Sequence, residues 1–388
     1  MSRDALPHSL WALMVGNFVI GTGVMVVPGT LNDISQSLEI SVPQAGQLIT
    51  AAAILMGLGA PLFAGLVAGW DRRRLLTWSL IWYGLLHAAC ALAPNYAALL
   101  PLRVLAVVSP AVFTPQAAAC IGLLVPPEQR GRGITFVFLG WSVASVMGMP
   151  LAAWISGVLG WRWAFGLVAV MALVVSIWVW RAMPDGVRPA ALSRESWGQA
   201  LGSAPLMMAV GVTLLSAFAQ FTLFSYFAPY FAQTHGLGGG GLSLLFLWFG
   251  SFGLLGNVLI SRSIDRMGAP RAVLITLCLI ALSLLAWPLG RGSVWLQALV
   301  LVPWALGCFS ANSAQQARLV QLSPPLAPAT VALNSSAMYG GQALGAALGG
   351  VMIAQGLMLD LHWAGMVLAI LAIGLSAWAG NRAVMAKH

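Results

Sequence analysis

Two short clusters of opposite charge carry the clearest chemistry in the chain, Asp71-Arg72-Arg73-Arg74 and Asp265-Arg266. A carboxylate beside guanidinium groups makes charge-assisted hydrogen bonds that are strong when formed and exchangeable when the partners move. Contacts of that kind suit a gate, so Asp71, Arg72, Arg73, Asp265 and Arg266 are gating candidates. Their competing reading is a basic anchor that only fixes orientation. Ionisable groups within or beside apolar runs form a second set, because burying one is costly and marks function by default. His87 and Arg103 lie in such runs, and Asp33 lies just past the end of one. These three are the candidates for proton coupling, with a packing histidine, a snorkelling arginine and a loop-end aspartate as the plainer alternatives. None of the nine acids falls near the middle of an apolar run.

Other chemistry is missing from the sequence. Cys90, Cys120, Cys278 and Cys308 form no CxxC pair, so neither zinc nor a redox motif is expected. Gly236–Gly241 is glycine-rich but lacks the Gly-Lys-Ser/Thr ending of a phosphate loop. There is no hydrolase elbow and no HExxH. The chain is expected to be no enzyme and to need no cofactor.

The elements that must hold these groups follow from composition. Hydrophobic residues make up 60% of the 388 and charged ones 7%, against about 25% charged in soluble domains. Lipid is therefore the main solvent. The formal net charge of +9 lies between apolar runs rather than on one face, so no nucleic-acid partner is expected. A helix needs roughly 20 apolar residues to cross the hydrocarbon. Twelve such runs occur, at approximately 9–30, 44–68, 75–93, 98–124, 133–158, 162–182, 204–232, 241–262, 271–290, 294–320, 330–356 and 362–381. Segments of alternating polarity for a barrel do not appear. The first run is too long for a signal peptide core and Asp4 offsets Arg3, so it reads as a retained span.

With both termini on one side, that side collects fifteen of the eighteen basic residues, leaving Arg103, Arg162 and Arg291 opposite. Both termini are therefore expected in the cytoplasm of a bacterial-type inner membrane, the basic face against anionic headgroups. The polar stretch after Met183 divides the chain into an N-terminal six-helix bundle (1–183), a linker (184–203) and a C-terminal six-helix bundle (204–388). Asp71-Arg72 and Asp265-Arg266 lie 194 residues apart, half the chain length, as an internal repeat would have them. Two six-helix halves describe a secondary transporter that rocks around a midplane site.

Several stretches resemble the major facilitator superfamily over nearly the whole chain. Gly65-Leu-Val-Ala-Gly69-Trp70-Asp71-Arg72-Arg73-Arg74 is similar to that family's loop signature, although Gly69 stands at the aspartate position and Asp71 comes two residues late. Asp265-Arg266-Met267-Gly268 is closer to it. Arg103 resembles the family's membrane-embedded arginine, and Pro126–Gly133 its loop between spans four and five. Ala144-x-x-x-Gly148-Met149-Pro150 resembles the antiporter motif of the twelve-helix drug:proton branch, with Gly148 and Pro150 as hinge candidates. Asn334-Ser-Ser and Gly340–Gly345 look like the eleventh span of sugar- and drug-efflux relatives. Gly341, Gly345 and Gly349 share a helix face and are first of all a packing signal. Where many drug:proton relatives carry an acid in the first span, this chain has Val24, which puts carboxylate-based coupling there in doubt.

The resemblance implies an all-α fold of twelve transmembrane helices in two pseudo-symmetric bundles, with spans 1, 4, 7 and 10 lining a central cavity. The expected cavity residues are Asn17, Thr22, Met25, Phe113, Gln116, Gln220, Phe224, Tyr226, Tyr230, Asn312 and Gln315, with Tyr339 from the eleventh span. Amides, hydroxyls and aromatics without fixed charge suit a neutral or amphiphilic solute, because a multiply charged one would be left unpaired. The expected function is export of small drug- or sugar-like molecules by alternating access, with protons as the candidate driving ion. Uptake or uncoupled facilitation on the same fold is the close alternative, and a membrane sensor or scaffold a distant one. The solute and the bilayer are the expected partners of a monomer. The orientation is directly testable: a C-terminal green fluorescent protein fusion should fluoresce in cells and a C-terminal alkaline phosphatase fusion should be inactive. The opposite pair of results would reverse the topology.

Overall fold

The structure is a computed structural model that describes residues 7–67, 69–126, 130–188, 194–323 and 326–385. No strand occurs among the described residues, because in lipid each span must satisfy its own backbone and a helix does so within one segment. The first half contains α1 (His8–Ser37), α2 (Val42–Leu66), α3 (Arg72–Ala91), α4 (Tyr96–Ala106), α5 (Val108–Leu124), α6 (Arg130–Leu159) and α7 (Trp161–Ala182). The short α8 (Arg194–Gly202) lies between the halves. The second half contains α9 (Ala204–Phe224), α10 (Phe227–His235), α11 (Gly239–Met267), α12 (Ala269–Ala286), α13 (Val294–Leu322), α14 (Ala327–Ala354) and α15 (Leu361–Met385).

Two spans are each built from two helices, and proline accounts for both breaks. The fourth span is α4 and α5, parted at Val107, with Pro110 in the first turn of α5. The seventh is α9 and α10, parted at Ser225-Tyr226, with Pro229 in the first turn of α10. Proline has no N–H for the carbonyl four residues back; it fits the first turn of a helix without cost and kinks or breaks one further in. Eleven spans are apolar enough to cross a membrane by hydropathy alone. The twelfth is α3, whose three leading arginines and its Trp78, Trp82, Tyr83 and His87 lower its mean hydropathy. The molecule is thus a twelve-span, two-bundle protein. One expectation changes in detail: α1 runs on to Ser37, so Asp33 lies inside the helix rather than beyond it.

Within the first bundle α1 packs on α6 and α7, and α3 on α7; within the second, α9 packs on α14 and α15, and α13 on α11 and α12. The two bundles meet along two seams, α2 with α14 and α6 with α11. Small residues set these distances. A Cβ at Gly341 would meet the Leu214 carbonyl, one at Gly345 the Phe218 carbonyl, and one at Gly349 the Thr222 carbonyl, so α14 lies directly on the α9 backbone. Lipid tails give helices no hydrophobic reason to associate, so such close van der Waals approach holds the bundle together. Tight joints use positive φ at Gly160 between α6 and α7 (94°) and at Gly268 between α11 and α12 (83°), a region costly for side chains with a Cβ. Gly345→Leu should lower the melting temperature of the purified protein by many degrees, since overpacking against backbone costs about 1–3 kcal/mol or more. Gly374→Leu, where a Cβ meets nothing within 4 Å, should melt close to wild type. Equal melting of the two variants would refute the packing role.

Candidate functional site

A cavity of about 650 Å³ lies between the bundles. Its walls come from α1 (Met25), α5 (Thr114), α6 (Trp141, Ser142, Ser145), α9 (Thr213, Ser216, Gln220, Phe224), α11 (Asn257, Arg262), α13 (Cys308, Asn312, Gln315) and α14 (Ser335, Tyr339), among others. Ser261 and Arg262, exposed near the end of α11 toward the linker, mark its open mouth. Among the described residues no carboxylate lines the cavity.

The opposite side, far from the linker, is closed. Tyr226, at the break between α9 and α10, is buried and donates to the Ala346 carbonyl at 2.6 Å. Its hydroxyl fills the space left by Gly46 on α2 and Gly350 on α14. On the second seam, the Ser243 hydroxyl donates to the Pro150 carbonyl at 2.8 Å. Gly157 of α6 and Gly239 of α11 approach closely enough that a Cβ on either would meet the other's backbone. The cavity is therefore open toward the linker and sealed away from it.

Of the residues expected on the cavity, Met25, Gln220, Phe224, Asn312, Gln315 and Tyr339 line it. The others are placed outside its lining. Asn17 is buried between helices, donating to the Val137 carbonyl at 3.2 Å and accepting from Thr114 at 2.9 Å. Thr22 turns its hydroxyl back onto the Phe18 carbonyl of its own helix. Phe113 is buried against Gly16, and Gln116 is buried in α5. Tyr226 belongs to the far-side seal, and Tyr230 accepts from the Trp287 indole at 2.8 Å inside an aromatic cluster. The cavity walls that went unanticipated come from α6 and α11. Both expose the signal an intramembrane polar audit would have caught, Ser142 and Ser145 on one and Asn257 on the other.

Arg103 is fully enclosed and donates to the carbonyls of Gly23 at 2.9 Å and Val24 at 3.3 Å. The reason lies four residues along α1. Pro28 has no N–H, so the Val24 carbonyl has no helical partner. Arg103 supplies it. His87, also buried, lies beside this contact: its Nδ1 pairs with the Tyr83 carbonyl at 2.9 Å and its Nε2 lies 3.4 Å from the Arg103 guanidinium. A carbonyl only accepts, so Nδ1 carries the proton and Nε2 is left as the acceptor. Asp33 is half-buried in α1. None of the three coupling candidates lines the cavity.

The first charge cluster is engaged within its own half. Asp71 caps α3 through the Arg74 amide at 3.2 Å and accepts from the Gly186 amide at 2.7 Å. Arg72 is buried, its guanidinium on the Val67 and Trp70 carbonyls at 3.0 and 2.6 Å. Arg73 pairs with Asp185 at 2.7 Å and lies over the Trp180 ring. The cluster thus ties the α2–α3 turn to the end of α7 and the start of the linker. Arg266 is exposed near the end of α11, while the Asp265 side chain lies outside the described ones. Glu128 and the side chains of Arg130 and Arg132 also lie outside the described residues. Gly148 and Pro150 sit in α6, where Gly148 faces Thr22 and Met25 of α1 without room for a Cβ of ordinary spacing.

Comparison with known proteins adds the relatives. The sequence model of the Major Facilitator Superfamily matches residues 13–346. The chain is 32% identical over 349 residues to the chloramphenicol resistance protein of Streptomyces lividans, covering 86% of this chain and 88% of that one. It is 27% identical over 368 residues to a probable sugar efflux transporter of Helicobacter pylori (strain HPAG1), covering 93% and 91%. Among solved structures, a bacterial homologue of the human lysosomal transporter Spinster superposes with a TM-score of 0.76 at 17% identity, covering 98% of each chain.

The Arg103 contact predicts a rescue. Arg103→Ala should destabilise the protein by about 1–3 kcal/mol, the cost of leaving a buried acceptor unmade. Adding Pro28→Ala returns an amide donor to Val24 and should recover part of that loss. Two additive destabilisations, measured by thermal melting in detergent, would contradict the assignment.

Proposed function

The chain belongs to the major facilitator superfamily, and from that premise we propose that it exports small neutral or amphiphilic organic molecules, drug- or sugar-like, by alternating access. The observation that carries this reading is the cavity between the bundles, walled by amides, hydroxyls and aromatic rings without a carboxylate. Arg262, at the mouth, is the one charged group among the described lining residues, so a neutral solute brings no uncompensated charge into the interior, whereas a multiply charged one pays a large cost of desolvation. Two relatives bear names of export, a chloramphenicol resistance protein and a sugar efflux transporter. The sealed far side and the open linker side describe one of the two states that alternating access needs.

The excess of basic residues on the linker side supports a reading in which that side and both termini face the cytoplasm of a bacterial inner membrane. The open cavity then faces the compartment from which an exporter loads. One chain forms the whole cavity, so a monomer suffices. For proton coupling we assign Asp33. It is the acid carried by α1, the helix that also contributes Met25 to the cavity. His87 and Arg103 hold each other and the α1 backbone instead. Gating falls to Asp71, Arg72 and Arg73, whose linker-side bonds must rearrange when that side closes, with Asp265 and Arg266 as their sequence counterparts in the second half, and bending to Gly148 and Pro150.

Proteoliposomes carrying the protein should show saturable flux of chloramphenicol or of a neutral monosaccharide, accelerated by an imposed pH gradient. Absence of flux for both classes would overturn the transport reading. Acceleration only when the gradient drives solute inward would indicate uptake. Asp33→Asn should abolish the gradient dependence while leaving binding intact, and an unchanged dependence would remove Asp33 as the proton carrier.

A further inference from the structure

The second-half wall of the cavity holds a chain of side-chain hydrogen bonds whose direction is set by one backbone atom. Gln315, 2% exposed, donates through Nε2 to the Ala209 carbonyl at 2.8 Å and to the Thr213 hydroxyl at 3.1 Å. A carbonyl can only accept, so this amide cannot be turned round. Thr213 has one hydrogen and already accepts from Gln315, and it donates to Asn334 Oδ1 at 2.5 Å. That fixes Asn334, which is fully buried, and its Nδ2 donates to Asn312 Oδ1 at 3.0 Å. The relay thus runs from α13 to α9, on to α14 and back to α13.

Both ends of the relay belong to residues that line the cavity. At one end Gln315 Oε1 is buried and has no hydrogen-bond partner. At the other, Asn312 has spent its oxygen on Asn334, so its NH₂ is the group left to offer. The two residues stand three apart on α13 and so share a face, with Cβ atoms about 5–6 Å apart. On α11, Asn257 Oδ1 is a further buried acceptor without a partner on the same cavity.

We propose that these two ends form a recognition subsite for a neutral group that carries a donor and an acceptor within about one helical turn, a hydroxyl-bearing or amide-bearing solute. The proposal rests on the transport reading above and names the chemistry that reading leaves open. A buried unmade acceptor is costly, and a ligand N–H or O–H on Gln315 Oε1 removes that cost. A carboxylate there meets an oxygen, and an ammonium leaves the Asn312 amide without an acceptor, so both charged forms fit worse. Thr213 and Asn334 act as positioning residues, since they carry the direction set at Gln315 on to the Asn312 end.

The test compares flux of chloramphenicol and of D-glucose with flux of their capped forms, fully O-acetylated and, for chloramphenicol, also methylated at the amide nitrogen, in proteoliposomes of wild type, Thr213→Val and Asn312→Asp. Melting in detergent confirms that each variant is folded. Wild type should prefer the uncapped form of a transported probe by about tenfold, the worth of one or two hydrogen bonds. Thr213→Val frees Asn334 and with it the Asn312 end, while the Ala209 carbonyl still holds Gln315, so that ratio should fall severalfold and stay above one. Asn312→Asp changes the terminal donor to an acceptor. It should weaken chloramphenicol and strengthen its deacylated amine, in which the amide is replaced by an ammonium that only donates. Wild type that moves an uncapped probe, with the ratio and the amine preference unaltered in both folded variants, would overturn the subsite and leave transport standing. Wild type that moves no probe would overturn transport and the subsite together.

Discussion

Every bend in this molecule has to answer one constraint, that a backbone carbonyl in hydrocarbon finds no water. Pro28 removes the donor for the Val24 carbonyl in the middle of α1, the most deeply packed helix of its bundle. Arg103 enters from the start of the fourth span and replaces it, and His87 buttresses the guanidinium from α3. Three helices are thereby fastened at a place where a charge would otherwise be hard to justify. The arginine is there because the proline is, which makes a charged group deep in the first bundle a structural necessity as well as a functional landmark.

The same constraint shapes the seams between the bundles. On the closed side the two bundles touch through glycine, through backbone and through one tyrosine. Gly157 against Gly239, the Pro150 carbonyl under Ser243, and the Tyr226 hydroxyl in the space left by Gly46 close that side with a few contacts. Opposite them, the linker-side cluster of Asp71, Arg72 and Arg73 is folded onto its own bundle through Gly186 and Asp185.

Much of this was legible in the residues. Scarcity of charge and the lengths of the apolar runs specify twelve membrane helices, because the thickness of hydrocarbon sets span length without reference to neighbours. The glycine stripe of α14 reads as packing and packs. Span edges were less legible: α1 continues to Ser37 and takes Asp33 with it, since a helix does not end where its apolar face does. Of the expected cavity residues, Gln220, Phe224, Asn312 and Gln315 line the cavity, while Asn17, Thr22 and Tyr226 serve helix contacts. The two groups are chemically alike, and only the rotation of each helix distinguishes them.

By itself, then, the sequence determined the solvent, the number of spans, the repeat and the sorting of basic residues to one side. All of these depend on composition and local order along the chain. Tertiary structure decided which polar groups face the cavity, that Arg103 answers Pro28, and that the amides of Gln315, Asn334 and Asn312 point in one direction. Those depend on atoms 22 to 121 residues apart in the chain being brought within about 3 Å of each other. Periodicity places a residue on a face, but only the packed bundle says what that face meets.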